Sequence, residues 1–263
     1  MTDPQAMDFA RRFGGVARLH GDAALQAFQH ARVCVVGVGG VGSWVVEALA
    51  RNAVGQLTLI DLDMIAESNT NRQLHALGDA WGRAKVDAMR ERVLAINPGC
   101  AVHCVEDFVS EDNLYALLAG HHAVVDAIDN VRVKAAMAAY CKAQNQYLVM
   151  CGSAGGKKDP TRLCVDDLSR TEQDPLLAKV RSRLRKDYAF PRDVRRKFGI
   201  EAVYSTEPVQ QPDVCSSEAG AGPQGLSCAG YGSDVCVTAT AGLFAAARVL
   251  AALSQINQSV ERV

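Results

Sequence analysis

The stretch that decides the fold runs from residue 34 to residue 73 and reads CVVGVGGVGSWVVEALARNAVGQLTLIDLDMIAESNTNRQ. Its first half predicts a strand, a glycine-rich turn and a helix, because GVGGVG at 37–42 follows an apolar run and precedes a segment with helical periodicity. Glycines at this spacing let the main chain approach phosphate groups closely, and the N terminus of the helix offers free N–H groups. This half therefore predicts a nucleotide site at the first strand of an open α/β sheet.

Asp61 supports an adenine nucleotide as the ligand. It lies 19 residues beyond Gly42, at the end of the next predicted strand. An acidic residue in this position can bind the hydroxyl groups of a ribose. A turn in which the glycines have only a structural role would not explain the acidic residue at this distance.

The second half of the stretch separates ATP from a nicotinamide dinucleotide. Arg72 and Gln73 follow two asparagines, and Lys85 begins a predicted helix. Cations beside a triphosphate neutralise its charge and stabilise the charge that develops during phosphoryl or nucleotidyl transfer. Asp129, in DAIDN, follows another strand, at the sheet edge where open α/β folds bind ligands. A carboxylate in this place is a natural ligand for Mg²⁺.

Alternation of apolar runs with helical segments over the first 150 residues predicts a Rossmann-like α/β fold, a mostly parallel sheet flanked by helices. The predicted strands are Arg32–Val36, Gln56–Ile60, Ala101–Val105, Ala123–Ala127 and Tyr147–Met150, and the predicted helices are Val41–Asn52, Arg83–Ile96, Glu111–Leu118 and Arg132–Asn145.

The rest of the chain predicts a C-terminal extension with a long glycine-rich loop. A short strand at Arg162–Val165 and a helix at Asp174–Tyr188 precede residues 208–234, which are rich in Gly, Pro and Ser. We interpret residues 1–263 as one ATP-binding domain. Residues 1–155 form its nucleotide-binding half, and residues 156–263 form a substrate and interface half.

Composition favours a globular protein of the cytoplasm. The 263 residues are 49% apolar with a formal net charge of −1, and the N-terminal segment lacks an apolar run. Nine scattered cysteines without a C-x-x-C pair favour reduced thiols and argue against a structural zinc site.

Residues 235–253 are apolar enough for a membrane span, but they contain Arg248, so we expect a helix in the core or a subunit interface and no stable membrane insertion. Peripheral membrane association is left open.

One segment is strongly basic. Residues 179–197 contain nine Lys or Arg against two Asp, a local charge of +7, whereas the remaining chain has 19 basic and 27 acidic residues, or −8. Cations concentrated on an acidic body predict contact with an RNA backbone. The alternative is a solvated helical face. The candidate RNA-binding residues are Arg181, Arg185, Arg195 and Arg196.

The segments GVGGVGSWVVEALARNAVG, LIDLDMIAESNTNRQ, GRAKV, INP and DAIDN resemble the ubiquitin-activating (ThiF-type) superfamily over about residues 10–150. Members of that superfamily adenylate carboxylates and are usually homodimers, with an N-terminal arginine that reaches the partner's ATP. The resemblance implies that Asp61 and Asp63 lie at the ribose side, that Asp129 holds Mg²⁺, and that the phosphates are contacted by Asn69, Arg72, Gln73 and Lys85. The catalytic residues that it implies are Arg72, Lys85 and Asp129. The implied ATP-binding residues are Gly37, Gly39, Gly40, Gly42, Asp61, Asp63, Asn69, Arg72, Gln73, Lys85 and Asp129.

Within the superfamily, RFGGVARL, SNTNRQLHAL, DDLSRTEQDPLLAKVRSRLRKD and VYSTEPV are similar to the tRNA threonylcarbamoyladenosine dehydratases. This similarity implies that ATP adenylates the threonyl carboxylate of the modified adenosine in tRNA, and that the carbamoyl group then closes a ring and releases AMP. Gly15 stands where the superfamily pattern has a second N-terminal arginine. Arg12 and Arg18 are therefore the candidates for the arginine that reaches the partner's ATP. Cys228 resembles a loop cysteine of that family and is a candidate catalytic or sulfur-relay thiol, and Cys215 in the same loop is a second candidate for that role. A cysteine-desulfurase or sulfur-acceptor partner is a further possibility.

Two alternatives stay open at this point. One is adenylation of the C terminus of a ubiquitin-like sulfur-carrier protein. The other is a nucleotide-binding module without catalysis, such as an NAD-dependent sensor or an RNA-binding scaffold. The presence of Arg72, Lys85 and Asp129 together speaks against it.

Overall fold

A computed structural model describes residues 8–193, 195–210 and 231–260, and the side chains up to residue 255. Seven strands form one sheet in the order β3-β2-β1-β4-β5-β7-β6. Every neighbouring pair is parallel except β6 and β7, which are antiparallel. The strands are β1 Arg32–Val36, β2 Gln56–Ile60, β3 Ala101–Val105, β4 Ala123–Asp126, β5 Tyr147–Cys151, β6 Leu163–Asp167 and β7 Glu201–Ser205.

The helices cover both faces of the sheet. They are α1 Phe9–His20, α2 Asp22–His30, α3 Gly42–Arg51, α4 Lys85–Ile96, α5 Leu114–Leu118, α6 Val131–Ala143, α7 Pro175–Asp187 and α8 Val235–Val260. On one face α2, α3, α4 and α8 bury a core with β1 and β2. On the other face α5, α6 and α7 form a second core against β4 and β5. The predicted Rossmann-like α/β architecture is thus confirmed.

The central strands match their predicted positions because they are continuous apolar runs buried on both faces. The bounds of β1, β2 and β3 are those predicted, and β4 and β5 differ by one residue at their ends. Residue Cys34 of β1 lies between Thr58 of β2 and Val124 of β4 in register. This register brings the carboxyl ends of the strands, where the polar motifs begin, to one edge.

The structure corrects several element predictions. The predicted helix Glu111–Leu118 begins only at Leu114, because Asn113 binds back to the main chain of Phe108 and Ser110 and holds residues 106–113 as a loop. The predicted strand Arg162–Val165 is β6, shifted to Leu163–Asp167. Two N-terminal helices and β7 have no counterpart among the predicted elements. β7 is the strand that joins the C-terminal half to β5.

Helix α8 is the apolar segment that passes the length and composition test for a membrane span, with mean hydropathy 1.8 over Val235–Gln255. One face of α8 contributes Val237, Ala241, Ala245 and Val249 to the first core. Arg248 donates two hydrogen bonds to Glu201 of β7, at 2.7 and 2.9 Å. The charge that argued against a membrane span is therefore paired within the protein.

Candidate active site

A cleft of about 690 Å³ opens at the carboxyl ends of β1, β2 and β4. Strand ends, the glycine-rich turn and the loops after β2, β3 and β4 meet there, as expected for an open parallel sheet. The cleft brings together most of the predicted ATP-binding residues from five separate segments. Those lining it are Gly37, Gly39, Gly40, Asp61, Asp63, Arg72, Gln73, Lys85 and Asp129.

Gly42 and Asn69 do not line the cleft; they support it. A Cβ atom on Gly42 would lie 1.8 Å from the carbonyl oxygen of Gly37, so only glycine lets α3 start directly under the turn. Gly37 itself has a φ of +86°. The Asn69 side chain is buried and accepts a hydrogen bond from the Ala66 amide at 3.1 Å. Both residues therefore fix the shape of the walls.

Asp61 joins the glycine-rich turn to the loop after β2. One carboxylate oxygen accepts the Val38 amide at 2.7 Å and the other accepts the Asp63 amide at 2.9 Å. Lys85 enters from the first turn of α4 and pairs with Asp63 at 2.7 Å and with Asp61 at 4.0 Å. The Lys85 side chain is only 5% exposed. A cation is thus held inside the cleft by two carboxylates.

Arg72 and Gln73 lie in the loop that follows a short 3₁₀ turn at Glu67–Asn69. Arg72 Nη1 donates to the carbonyl oxygen of Ser68 and to Asn71 Oδ1, at 2.9 and 2.8 Å. Gln73 is buried, and within the described residues its Oε1 has no hydrogen-bond partner. An unsatisfied buried acceptor in a cleft wall is suited to a ligand donor.

Asp129 stands exposed at the rim, two residues before the first residue of helix α6. Asn130 fixes this position, since its side chain accepts the amides of Arg132 and Val133 at 3.0 and 3.2 Å. Within the described residues no cluster of three or more metal-binding side chains occurs. A single carboxylate is nevertheless a sufficient protein contribution for Mg²⁺, which keeps several waters and binds substrate phosphates.

A buried ion pair lies beneath the rim and was missed from the sequence. Lys134 Nζ donates to Asp126 Oδ1 at 2.8 Å, to the Ile128 carbonyl at 3.0 Å and to the Cys151 carbonyl at 2.8 Å. Both side chains are fully buried. Burial raises the pKa of Asp126, and the ammonium of Lys134 opposes that rise. Lys134 thereby ties the ends of β4 and β5 to the loop that carries Asp129.

The loop after β3 forms the remaining wall, a role that its sequence did not signal. Residues 107–112 line the cleft, and the Phe108 ring is 62% exposed at its mouth. Glu111 pairs with Arg132 of α6 and accepts a hydrogen bond from Tyr188 Oη at 3.3 Å. Tyr188 is the C-cap residue of α7, so this cluster joins the cleft wall to the basic segment.

The four candidate RNA-binding arginines differ in how exposed their side chains are and in how far they are already hydrogen-bonded within the protein. Arg181 is half-buried and donates to Thr171 Oγ1, and burial lowers its pKa. Arg185 donates to the Pro191 carbonyl and stacks over Phe198 at 5.2 Å. Arg195 pairs with Asp193 at 3.0 Å but is 87% exposed, and Arg196 is also exposed. Arg195 and Arg196 are therefore the pair best placed to meet a polyanion.

Three core cysteines and the two N-terminal arginines lie away from the cleft. Cys34, Cys141 and Cys151 are buried, and burial raises the pKa of each thiol, as expected for core cysteines. Cys215 and Cys228 lie outside the described residues. Arg12 donates to the Ala95 and Ile96 carbonyls at the end of α4, which leaves Arg18 exposed on α1.

His75 is buried behind the cleft without a hydrogen bond to either ring nitrogen among the described residues. Burial and the nearby Lys85 lower its pKa to about 4. The ring is therefore neutral at physiological pH. It does not line the cleft.

Comparison with known proteins extends these observations. The sequence model of the ThiF family matches residues 11–262. The chain is 48% identical to the tRNA threonylcarbamoyladenosine dehydratase of Haemophilus influenzae over 92% of its length and 93% of that protein. It is 49% identical to the Escherichia coli enzyme of the same name, over 91% and 92% of the two chains.

A solved structure shares the whole architecture. The Escherichia coli tRNA N6-threonylcarbamoyladenosine dehydratase in complex with ATP superposes with a TM-score of 0.86, at 44% identity and with 98% of each chain covered. The molybdopterin-synthase adenylyltransferase of Salmonella typhimurium is 39% identical over only 44% of this chain and 47% of its own. The sulfur-carrier alternative is therefore represented by a more distant relative. Because the family match spans residues 11–262 and two relatives align over nine-tenths of the chain, the protein belongs to the ThiF family.

Proposed function

We propose that the protein is an ATP-dependent tRNA threonylcarbamoyladenosine dehydratase. The observation that carries the proposal is the cleft itself, in which the glycine-rich turn converges at one sheet edge with Arg72, Lys85 and the carboxylates of Asp61, Asp63 and Asp129. Similarity to two dehydratases over nearly full length supports the choice of substrate within the family.

The proposed reaction has two steps. A threonyl carboxylate oxygen attacks the α-phosphorus of ATP, the bond to the β-phosphate oxygen breaks, and pyrophosphate leaves. The carbamoyl group then attacks the activated carbonyl, closes a ring and loses a proton as AMP departs with the carboxylate oxygen. The net change is loss of one water from the nucleoside. The second step gains from proximity because the nucleophile belongs to the activated molecule.

The residues of the cleft have proposed roles in this chemistry. The turn at Gly37, Gly39 and Gly40 and the buried start of α3 would hold phosphates through main-chain amides. Arg72 and Lys85 would stabilise the negative charge that shifts between phosphates during adenylation. Asp61 and Asp63 would lie at the ribose. Gln73 would donate to a phosphate oxygen through its amide.

Asp129 is the proposed protein ligand for Mg²⁺. It is exposed at the rim, and Lys134 and Asn130 anchor the loop that carries it. When bound, the metal would neutralise phosphate charge. One protein carboxylate is enough for this role, because Mg²⁺ keeps several waters and also binds the substrate phosphates.

We also propose a domain organisation, an oligomeric state and a cellular compartment for the protein. We infer one ATP-binding domain, residues 1–263, that works as a homodimer in the cytoplasm. Leu243 and Phe244 of α8 are exposed apolar side chains suited to an interface, at 49% and 36% exposure. A cysteine-desulfurase or sulfur-acceptor partner would concern Cys215 and Cys228, which lie outside the described residues.

The first experiment is ATP consumption with tRNA that carries threonylcarbamoyladenosine, against tRNA that lacks it. We expect AMP release only with the modified tRNA, and mass spectrometry of the digested nucleosides should show loss of one water. AMP or pyrophosphate release that ignores the modification, or that needs a small protein, would overturn the substrate assignment.

Charge reversal on the basic segment tests its role in tRNA binding. We expect Arg195→Glu with Arg196→Glu to weaken tRNA affinity about tenfold at moderate salt, because phosphate contacts and counterion release are lost. The salt dependence of binding should become shallower by about one to two units of slope. ATP affinity should not change, since both residues lie outside the cleft.

The matched control for this pair is Arg90→Glu, an exposed charge reversal on α4 outside the basic segment. It should leave tRNA binding within about twofold. Equal losses from the control and the Arg195 and Arg196 variant would mean that net charge, and not this surface, governs binding. Reversals at Arg181 and Arg185 are less informative, because those side chains hold Thr171 and the Pro191 carbonyl.

A further inference from the structure

Arg72 is held by two neighbours that the nucleotide motif does not account for. Asn71 Oδ1 accepts a hydrogen bond from Arg72 Nη1 at 2.8 Å. Trp44 Nε1, on α3, donates to the Arg72 main-chain carbonyl at 3.1 Å. The guanidinium is therefore held by Asn71 together with the Ser68 carbonyl, and the main chain is held independently by the helix that follows the glycine-rich turn.

Asn71 is itself anchored from the far end of the chain. Its Nδ2 donates to the carbonyl oxygen of Ser233, which lies 162 residues away and just before α8. Asp234 then caps α8 by accepting the Cys236 amide at 2.6 Å. Because both ends of the Asn71 amide are engaged, the group cannot turn without losing a hydrogen bond. Asn71 therefore presents its oxygen to Arg72 in one orientation.

Trp44 is equally constrained. A Cβ atom on Gly242 would lie 2.8 Å from the Cβ of Trp44, so α8 packs directly on the base of this side chain. One turn earlier, Thr238 is 2% exposed and lines the cleft. A Cβ on Gly40 would lie 3.2 Å from Arg72 Cγ and 3.4 Å from Thr238 Cγ2. The Arg72 stem is thus confined between the glycine-rich turn and α8.

We propose that Asn71 and Trp44 are positioning residues that set the orientation of Arg72 for adenylation. The proposal rests on the assignment of Arg72 to the phosphates of ATP made above. An arginine side chain has high rotamer entropy, and a cation stabilises developing charge best when no reorganisation is needed at the moment of reaction. Asn71 and Trp44 act on the reaction through Arg72 alone.

A double-mutant cycle with Arg72→Ala tests this dependence. We expect Asn71→Ala and Trp44→Phe each to lower kcat for AMP formation by about five- to tenfold, with the KM for tRNA changed less than about twofold. In the Arg72→Ala background, the same two substitutions should change kcat by less than about twofold, because their target is gone. Trp44→Phe keeps an aromatic side chain on the Cβ that packs against α8, and it removes the indole donor together with part of the ring volume.

Thr70→Ala is the matched control, since it removes a 2.6 Å hydrogen bond to the Glu67 carbonyl from the same loop without touching Arg72. It should leave kcat within about twofold. The proposal would be overturned if Asn71→Ala or Trp44→Phe lowered kcat by the same factor in the Arg72→Ala background as in the wild-type protein. Wild-type turnover in the single variants would overturn it as well.

ATP affinity, measured by calorimetry without tRNA, separates this proposal from the function assigned above. Asn71→Ala should weaken ATP binding about threefold or more in the otherwise wild-type protein and less than about twofold in the Arg72→Ala background. A wild-type protein that binds ATP but ignores the modified tRNA would contradict the dehydratase assignment alone. Equal weakening in both backgrounds would contradict the positioning role alone.

Discussion

Lys85→Ala and Arg72→Ala should each lower the rate of AMP formation by about 100-fold or more while the fold stays intact. Each substitution removes a fixed cation from the wall of the cleft, and the loss of one preorganised charge at a transferring group costs on the order of 100-fold in turnover. Lys85 is the stronger case, because its ammonium is buried beside Asp63 and has little freedom to move. Turnover is measured with the modified tRNA, and the fold by thermal unfolding.

Arg83→Ala is the matched control for Lys85→Ala. Arg83 lies two residues earlier and pairs with Glu91 on the surface of α4, outside the cleft. It should leave turnover within about twofold. If Lys85→Ala retained wild-type turnover, or if Arg83→Ala lost as much, Lys85 would have no specific part in adenylation.

Lys134→Met should destabilise the protein by about 3–5 kcal/mol, because it leaves the Asp126 carboxylate buried without its cation. The substitution also removes the hydrogen bonds that Lys134 donates to the carbonyls of Ile128 and Cys151. Since burial already raises the pKa of Asp126, we expect that carboxyl to take up a proton in the variant. Urea unfolding at pH 7 measures the change in the free energy of unfolding.

Two further variants make this prediction specific to the ion pair. Lys142→Met removes an exposed lysine from the same helix and should change the free energy of unfolding by no more than about 0.5 kcal/mol. Lys134→Met combined with Asp126→Leu should recover part of the loss, since no buried charge remains. A cost below about 1 kcal/mol for Lys134→Met alone would show that the pair contributes little.

The sequence determined the architecture and most of the cleft residues because those features depend on local patterns. Continuous apolar runs defined β1, β2, β4 and β5, and the spacing of Gly37, Gly42 and Asp61 placed the glycine-rich turn beside the Asp61 carboxylate. Parallel strands bring their carboxyl ends to one edge, so Arg72 and Asp129 could be assigned to one site without a structure.

Only the tertiary structure decided which residues support that site. Lys134 belongs to an alanine-rich helical stretch, and its burial follows from the convergence of β4, β5 and the rim loop. Asn71 meets Ser233 across 162 residues, and Trp44 meets Arg72 across 28. The engagement of Arg181 likewise depends on its contact with Thr171, which lies in the segment before α7. Local patterns report strands, turns and helix faces, whereas these pairings arise only when distant segments pack together.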